Sequence, residues 1–544
     1  MVRQIREFYP REAWLGCLVI TTLTTIIWWY GANTHDFSRR DAFDYAQMTR
    51  QVTLGHGLST LQIFPRHIPY FNEKGLLNEP NWPNLYRNPL ITITAALFQL
   101  GFQDPAVAMV AHSGFWYLAS LPVLYFLVIG LANRKAAAIC TVFYAADPVM
   151  LLYSYSGMTE TLATFLLLCL CALAFLGESR PWKWFLLGLV SGLAYLSRAQ
   201  FAILAPLVIL YALFTPSQTS RLSARFDQVM LVLAGLLAPL LPWLGRNWAI
   251  TGDPFFSFTT SRNLLLDAIP SPSDLEMQLH APVSSAIVLS QYSGAILVKV
   301  WRNVSENVLS MAYWANTFRQ MVIVFPLLAF SALVRKSQGT KTGLILFKWS
   351  VVVLILATFF LVSLTVYSVR SYLVFRPLIL ILAASEIVRL LESALRSPAL
   401  RKVIIILILV MGVVRLGQLA VEHRNRPSLY SFFEYRTYQM LTREFDPHSL
   451  VASDISEQLS LYTGRRTLRL PADPQELLAI NQEYLPVDYV LISKDLWTGS
   501  SAVDEPNYHE TYQDYLPFIE STEFLSAYNF DTRLPNGAIL FIRK

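Results

Sequence analysis

The sequence predicts a mainly α protein, a polytopic bundle of transmembrane helices followed by a small soluble α/β domain. Three observations predict it. Of 544 residues 54% are hydrophobic and only 15% charged, with a mean hydropathy of +0.42, well below the roughly 25% charged residues of a soluble globular domain. The apolar residues fall into blocks near the ~20 residues that a helix needs to cross ~30 Å of hydrocarbon. The charge is also uneven. Residues 1–420 carry 32 Lys and Arg against 19 Asp and Glu, whereas 421–544 carry 11 against 18. Positive charge beside apolar blocks marks cytoplasmic loops, and an acidic tail with few apolar runs reads as a separate water-soluble domain at 421–544, with residues 1–420 as the membrane module. Disordered, collagen-like and disulfide-scaffold classes are excluded, and nucleic acid is not the implied partner. Cys17, Cys140, Cys169 and Cys171 all lie in apolar segments, so neither a disulfide framework nor a zinc framework is suggested.

Arg3, Arg6 and Arg11 precede an apolar stretch that no small-residue cleavage site follows. This reads as an uncleaved first span with a cytoplasmic N-terminus. Further basic clusters stand at 133–135, 178–183, 220–225, 335–341 and 396–402. Placing all of them in the cytoplasm gives about eleven spans, near 14–31, 106–131, 136–152, 158–176, 184–197, 200–214, 228–247, 309–334, 344–366, 372–394 and 402–420. An odd count puts the tail outside, on the side of two long polar loops, 33–104 and 248–307. The apolar segment 89–101 is only ~13 residues long and is expected at the interface. The expected location is therefore the plasma (inner) membrane, with an extracytoplasmic C-terminal domain. In the tail, SLVASD, VDYVLIS and AILFIRK are short β-rich runs, and SEQLSLY and PQELLAINQEY have helical periodicity. No Gly-rich phosphate loop, zincin helix, nucleophile elbow or internal repeat occurs.

In DAFDYAQMTRQV of the first outer loop, Asp41, Tyr45, Met48 and Val52 share one helical face, which predicts an amphipathic helix at the membrane surface. Asp41 suits an N-cap, and Asp44 reads as a solvated or first-turn residue. Glu160 heads an apolar helix, where it serves either the helix dipole or a function, the default for an intramembrane carboxylate. Arg87, Arg198, Arg246 and Arg370 gather at the predicted outer face, where the charge rule expects few. Each can snorkel to headgroups, yet four facing one side suit an anionic group such as a lipid phosphate. His56 and His67 read as solvated loop histidines.

These residues resemble the GT-C integral-membrane glycosyltransferases, which include the protein O-mannosyltransferases and the lipid A aminoarabinose transferase, the bacterial members being family-39-like. The resemblance covers most of 14–395. The family's outer loop opens Asp-Glu-x-x-Tyr-Ala; here DAFDYA gives Asp41 and Tyr45, with Ala42 in place of the second acid and LGHG closing the helix. The family's basic-Pro-Leu element looks like Arg87-Asn88-Pro89-Leu90, and its next outer acid looks like Glu160. A PW-x-x-RN…G-x-P signature is present as Pro242, Trp243, Arg246, Asn247, Gly252 and Pro254, and a late Arg followed by Pro is matched by Arg370 and Pro377. The tail is similar to soluble domains attached to bacterial members.

The resemblance implies inverting transfer of a hexosyl or pentosyl group from a polyprenyl-phosphate carrier to a lipid, glycan or protein acceptor at the outer face. Asp41 would be the general base, with Glu160 aiding it or positioning the acceptor, and Arg370, Arg87 and Arg246 would bind the donor phosphate, with Tyr45 in support. The absent acid at Ala42 sets the chain apart from the O-mannosyltransferases. No cofactor and no metal site is expected; Asp41 and Glu160 are too few oxygen ligands for a hard cation. A flippase for lipid-linked glycans and a ligase using diphosphate-linked glycans are the rivals. A transporter should carry inverted repeats and broken mid-membrane helices.

Overall fold

The computed structural model describes residues 11–32, 40–176, 180–214, 222–269, 275–308, 324–334, 342–365, 370–425, 441–443, 445–471, 473–492, 518, 521–534 and 538–544. They form two compact units. The first comprises residues 1–33, 110–246 and 300–426, and the second 34–109, 247–299 and 427–544.

The first unit is helical. Among the described residues five helices are long and apolar enough to cross a membrane: Arg11–Gly31, Pro105–Leu131, Arg225–Thr251, Leu344–Leu364 and Pro398–Arg424. A sixth candidate is the pair Arg134–Ala145 and Pro148–Tyr155, which is bent by 55°. Every one of the eleven expected segments meets a helix, though 309–323 lies outside the described residues. The single span expected at 136–152 is instead broken at Asp147. Pro148 has no N–H to donate, and the Asp147 carboxylate accepts from Val149 N at 3.0 Å and Met150 N at 3.1 Å, so the second helix starts afresh on its own cap. The break costs no unsatisfied backbone donor. Close helix contact rests on small residues: a Cβ on Gly188 would stand 2.0 Å from the Val232 carbonyl oxygen, and one on Gly192 2.7 Å from that of Leu236.

The second unit folds around a six-stranded sheet. The expected strands are present as β4 (Leu450–Ser453), β6 (Tyr489–Ile492) and β8 (Ile539–Arg543), and the expected helices as Ser456–Thr463 and Pro474–Glu483. β5 (Arg466–Arg469) and β7 (Tyr528–Arg533) complete the tail's share. The order is β2-β5-β4-β6-β8-β7, parallel from β2 to β6 and antiparallel through β8 and β7. The edge strand β2 is Gln62–Ile63, from the polar loop 33–104, pairing with Thr467 and Leu468. One core joins the three segments: Ile63, Trp82, Phe258, Leu450, Val490 and Phe541 are all buried in the same cluster. Each such side chain contributes ~1.5–3 kcal/mol of transfer free energy. The tail and the polar loop 33–104 thus share one core.

The expected amphipathic surface helix is Arg40–Thr53, and its surface placement is corrected. Residues from Ala42 to Thr49 are all buried, because the helix packs between Leu90–Gln99 and Ser456–Thr463. Its polar side chains are buried with partners: Gln47 donates to Thr60 Oγ1 at 2.6 Å and accepts from Leu61 N at 3.1 Å.

Candidate functional site

In the second unit the chemistry collects around Arg87. The preceding turn is tied by Asn84, whose Oδ1 accepts from Arg87 N at 2.9 Å and Tyr86 N at 3.2 Å while its Nδ2 donates to the Arg87 carbonyl at 2.9 Å. Such a side-chain turn fixes the direction in which Arg87 leaves the backbone. Its Nη2 then donates to Asp41 Oδ1 at 2.6 Å and its Nε to Asp44 Oδ2 at 2.8 Å. The guanidinium carbon lies 5.4 Å from the ring centroids of both Tyr45 and Tyr86, within cation–π range. The Tyr86 hydroxyl donates to Asp44 Oδ1.

Asp41, Tyr45 and Arg87, predicted as site residues, are therefore brought together. Asp41 lies inside the helix as its second residue, beyond the cap position, with its carboxylate against Arg87. The solvated reading of Asp44 is corrected: it is fully buried. Its place follows from spacing, since three residues on from Asp41 is the same helical face. The chain thus has a second carboxylate on this helix, two residues after the Ala42 that replaces the family's acid. Burial pushes the Asp44 carboxyl above its ordinary range, against the opposing pull of the Arg87 charge and the Tyr86 hydrogen bond. Arg87 stays charged: burial disfavours its charge, yet Asp41 and Asp44 hold its pKa well above the ordinary arginine value.

His67 is likewise corrected from solvated to buried. It stacks on Phe258 with centroids 3.7 Å apart, and burial, then the nearby Arg66, drives its pKa well below the ordinary histidine value. It is neutral at pH 7. His56 is exposed, its Nδ1 2.7 Å from Gln51 Oε1.

In the first unit the chemistry collects around Glu160. Gly157, at φ +70°, turns the chain out of the Pro148–Tyr155 helix through a conformation that glycine adopts without strain, and Glu160 opens the next helix. Glu160 is fully buried, and its Oε1 accepts from Arg198 Nη1 at 2.7 Å and from Arg370 Nε and Nη2 at 3.1 and 3.0 Å. Arg198 Nη1 also donates to Thr159 Oγ1 at 3.2 Å. One carboxylate thus faces two guanidiniums, whose side chains are 15% and 16% exposed. Glu160 and Arg370 were both predicted. Arg198, unassigned from sequence, joins them. Arg246 lies near the end of the Leu222–Thr251 helix with its guanidinium 5.1 Å from the Trp243 ring centroid.

A buried ion pair escaped the sequence reading. Asp147 Oδ2, besides the cap made by its other oxygen, accepts from Arg376 Nε at 2.9 Å and forms an ion pair with Nη2 at 2.8 Å. The signal was an Asp-Pro step opening an apolar run and an Arg before Pro377. Among the described residues no group of three or more His, Cys, Asp or Glu is placed to hold a metal ion.

Residues 87–244, under a third of the chain, match the family described as dolichyl-phosphate-mannose-protein mannosyltransferase. That range holds Arg87, Glu160 and Arg198 and ends two residues before Arg246. No curated protein sequence matches the chain. Among solved structures, the apo oligosaccharyltransferase of Archaeoglobus fulgidus is 12% identical with a TM-score of 0.54, covering 89% of this chain and 70% of its own. The arabinofuranosyltransferase AftD from Mycobacteria is 13% identical at 0.50, over 98% of this chain and 40% of its own. ArnT from Cupriavidus metallidurans bound to undecaprenyl phosphate is 12% identical at 0.47, over 98% of both chains. The first two establish a GT-C-type fold.

Proposed function

We propose that this chain is an integral-membrane glycosyltransferase that moves a sugar from a polyprenyl-phosphate carrier to an acceptor at the extracytoplasmic face, with inversion in a single displacement. The observation that carries the reading is the arginine-clamped carboxylate pair Asp41 and Asp44, in a chain of this fold whose residues 87–244 match a family named for a lipid-phosphate-linked sugar. The acceptor oxygen attacks the anomeric carbon, its proton passes to the Asp41 carboxylate, and the bond from that carbon to the phosphate oxygen breaks with the electron pair leaving on the phosphate. Arg87 orients Asp41 and is assigned to the donor phosphate, where a fixed cation stabilises charge as it develops. Glu160 holds Arg198 and Arg370 in position, a role that replaces direct help to the base. Tyr45 supports Arg87 through its ring. A phosphate leaving group needs little acid assistance, so the chemistry asks for no second proton donor.

The topology that fits this reading has eleven spans, a cytoplasmic N-terminus and an extracytoplasmic tail. The shorter apolar helices Glu160–Phe175, Ala199–Phe214 and Phe325–Val334 supply material for spans beyond the six candidates. Cysteine-labelling from either side of the membrane tests the orientation.

One observation favours a transporter of lipid-linked glycans instead: the broken helix at Asp147 carries a buried ion pair, a feature of transporter folds. One experiment separates the two. The purified protein is incubated with polyprenyl-phosphate and polyprenyl-diphosphate sugars and a membrane extract, and donor loss is followed by mass spectrometry beside Asp41→Asn. Loss of one monophosphate donor, absent in the variant, supports transfer with Asp41 as base. Turnover retained in the folded variant refutes that role, and donor binding without consumption supports transport.

A further inference from the structure

We infer that the C-terminal domain supplies a positioning residue, Glu457, to the Asp41, Asp44 and Arg87 site through a continuous buried chain of hydrogen bonds. The inference rests on the reading of that site as catalytic. Starting at Asp44, Gln47 Nε2 donates to Asp44 Oδ1 at 3.4 Å and to Thr60 Oγ1 at 2.6 Å. Thr60 Oγ1 accepts from Gln62 N at 3.1 Å, and Gln62 Nε2 donates to Ser456 Oγ at 2.9 Å. Ser456 Oγ then donates to Glu457 Oε2 at 3.4 Å. Every residue along this path is buried. Arg469, from β5, closes its far end, with Nη1 3.5 Å from Glu457 Oε2 and a hydrogen bond to the Asp454 carbonyl.

The path runs where a sheet of this kind presents polar groups. β4 has β5 on one side and β6 on the other, so the crevice beyond its C-terminal end is a topological switch point. Ser453, Asp454, Ser456 and Glu457 occupy that end. The helix they open packs on Arg40–Thr53, fixed by Arg50 Nη1 donating to the Leu461 carbonyl at 3.0 Å and by the Phe43 ring edge-on to Tyr462 at 6.0 Å. Buried polar networks fix geometry because each member left unpaired is costly. A merely cohesive interface between these two helices needs only apolar contacts.

The charged and titratable groups around Asp44 are Asp41 and Tyr45 on its own helix, Tyr86 and Arg87 from the adjoining loop, and Glu457 from the tail. Around Glu457 they are Arg469 and Asp454. The Glu457 charge acts on Asp44 in the direction that favours its protonated form. Removing that charge makes Asp44 ionise at lower pH.

Two measurements on the full-length protein in detergent test this. The first is a thermal-unfolding cycle of Asp44→Asn, Glu457→Gln and the double variant, which requires no substrate. Coupled sites make the double variant lose less than the sum of the two single losses, whereas strict additivity overturns the inference. If Asp44→Asn does not fold, Thr60→Val, which cuts the chain midway, takes its place under the same criterion. The second follows donor consumption against pH. Glu457→Gln moves the acidic limb to lower pH, the direction expected when a nearby like charge is removed. An unmoved limb overturns the inference. If the wild type consumes no donor, the glycosyltransferase reading fails while the cycle still decides the coupling.

Discussion

Neutralising Asp147 should destabilise the helical unit strongly, and neutralising Arg376 with it should restore most of the loss. Asp147 has two jobs, capping two backbone donors and holding Arg376 in a two-armed ion pair whose side chains are 4% and 2% exposed. The cap is worth ~1 kcal/mol. Removing one partner of a buried pair strands the other charge at ~3–5 kcal/mol. Asp147→Ala therefore costs roughly 4–6 kcal/mol, and Asp147→Asn, which can still cap, roughly 3–5 kcal/mol. Because a buried ion pair nearly breaks even against apolar residues of similar volume, Asp147→Asn with Arg376→Met should lie within ~2 kcal/mol of the wild type. Heat- and denaturant-induced unfolding, followed by tryptophan fluorescence on detergent-solubilised protein, measures all four. A double variant as unstable as the two singles combined, or an Asp147→Asn within ~1 kcal/mol of wild type, refutes the argument. The result bears on the site, since Arg376 opens the helix directly after the short Arg370–Leu373 helix.

Further outcomes follow from the same geometry. Glu160→Gln leaves Arg198 and Arg370 facing each other without their shared counter-charge, and donor turnover should fall by ~10²-fold or more, as for loss of a preorganised electrostatic group; turnover within a few-fold of wild type shows Glu160 to be dispensable. His67 is held neutral in the fold while its unfolded form titrates near 6.5, so stability is lost as pH falls below that value, at up to ~1.4 kcal/mol per pH unit. His67→Phe should flatten this acid limb in pH-dependent thermal melts. Asp44 runs in the opposite sense: its raised carboxyl binds a proton more tightly folded than unfolded, so its contribution falls as pH rises from ~4 through the folded pKa, and Asp44→Asn removes that slope. Donor consumption should survive chelation with EDTA, and loss restored by Mn²⁺ or Mg²⁺ would show a metal requirement.

Much of the fold was legible because hydropathy and charge are properties of the sequence itself. The tail strands β4, β6 and β8 and both long tail helices lie on the runs that periodicity marked. Of the candidate residues, Asp41, Tyr45 and Arg87 meet in one place and Glu160 and Arg370 in another. The misread features are those set by long-range pairing. Asp44 and His67 look solvated in a polar loop, and only the fold shows the sheet, aromatic rings and tail helix that enclose them. β2 is two residues long and carries no pattern of its own. The bend at Asp147 was missed because hydropathy averages over the single Asp-Pro step, and the partner of the Asp147 carboxylate stands more than two hundred positions away.

The pairing of Gln62 with Thr467 also sets an order of events during synthesis. At ~5–20 residues per second, the roughly four hundred residues between them take on the order of half a minute to emerge. Throughout that interval the first outer loop has no β5 to join, and the helix bearing Asp41 lacks the partner that covers one of its sides. Closure of this sheet against the Arg40–Thr53 helix is therefore a terminal step of biogenesis. A ribosome that stalls before residue 450 leaves a chain without β4 or β5, in which Gln62 and Ile63 have no strand to pair with and the Arg40–Thr53 helix keeps one side uncovered.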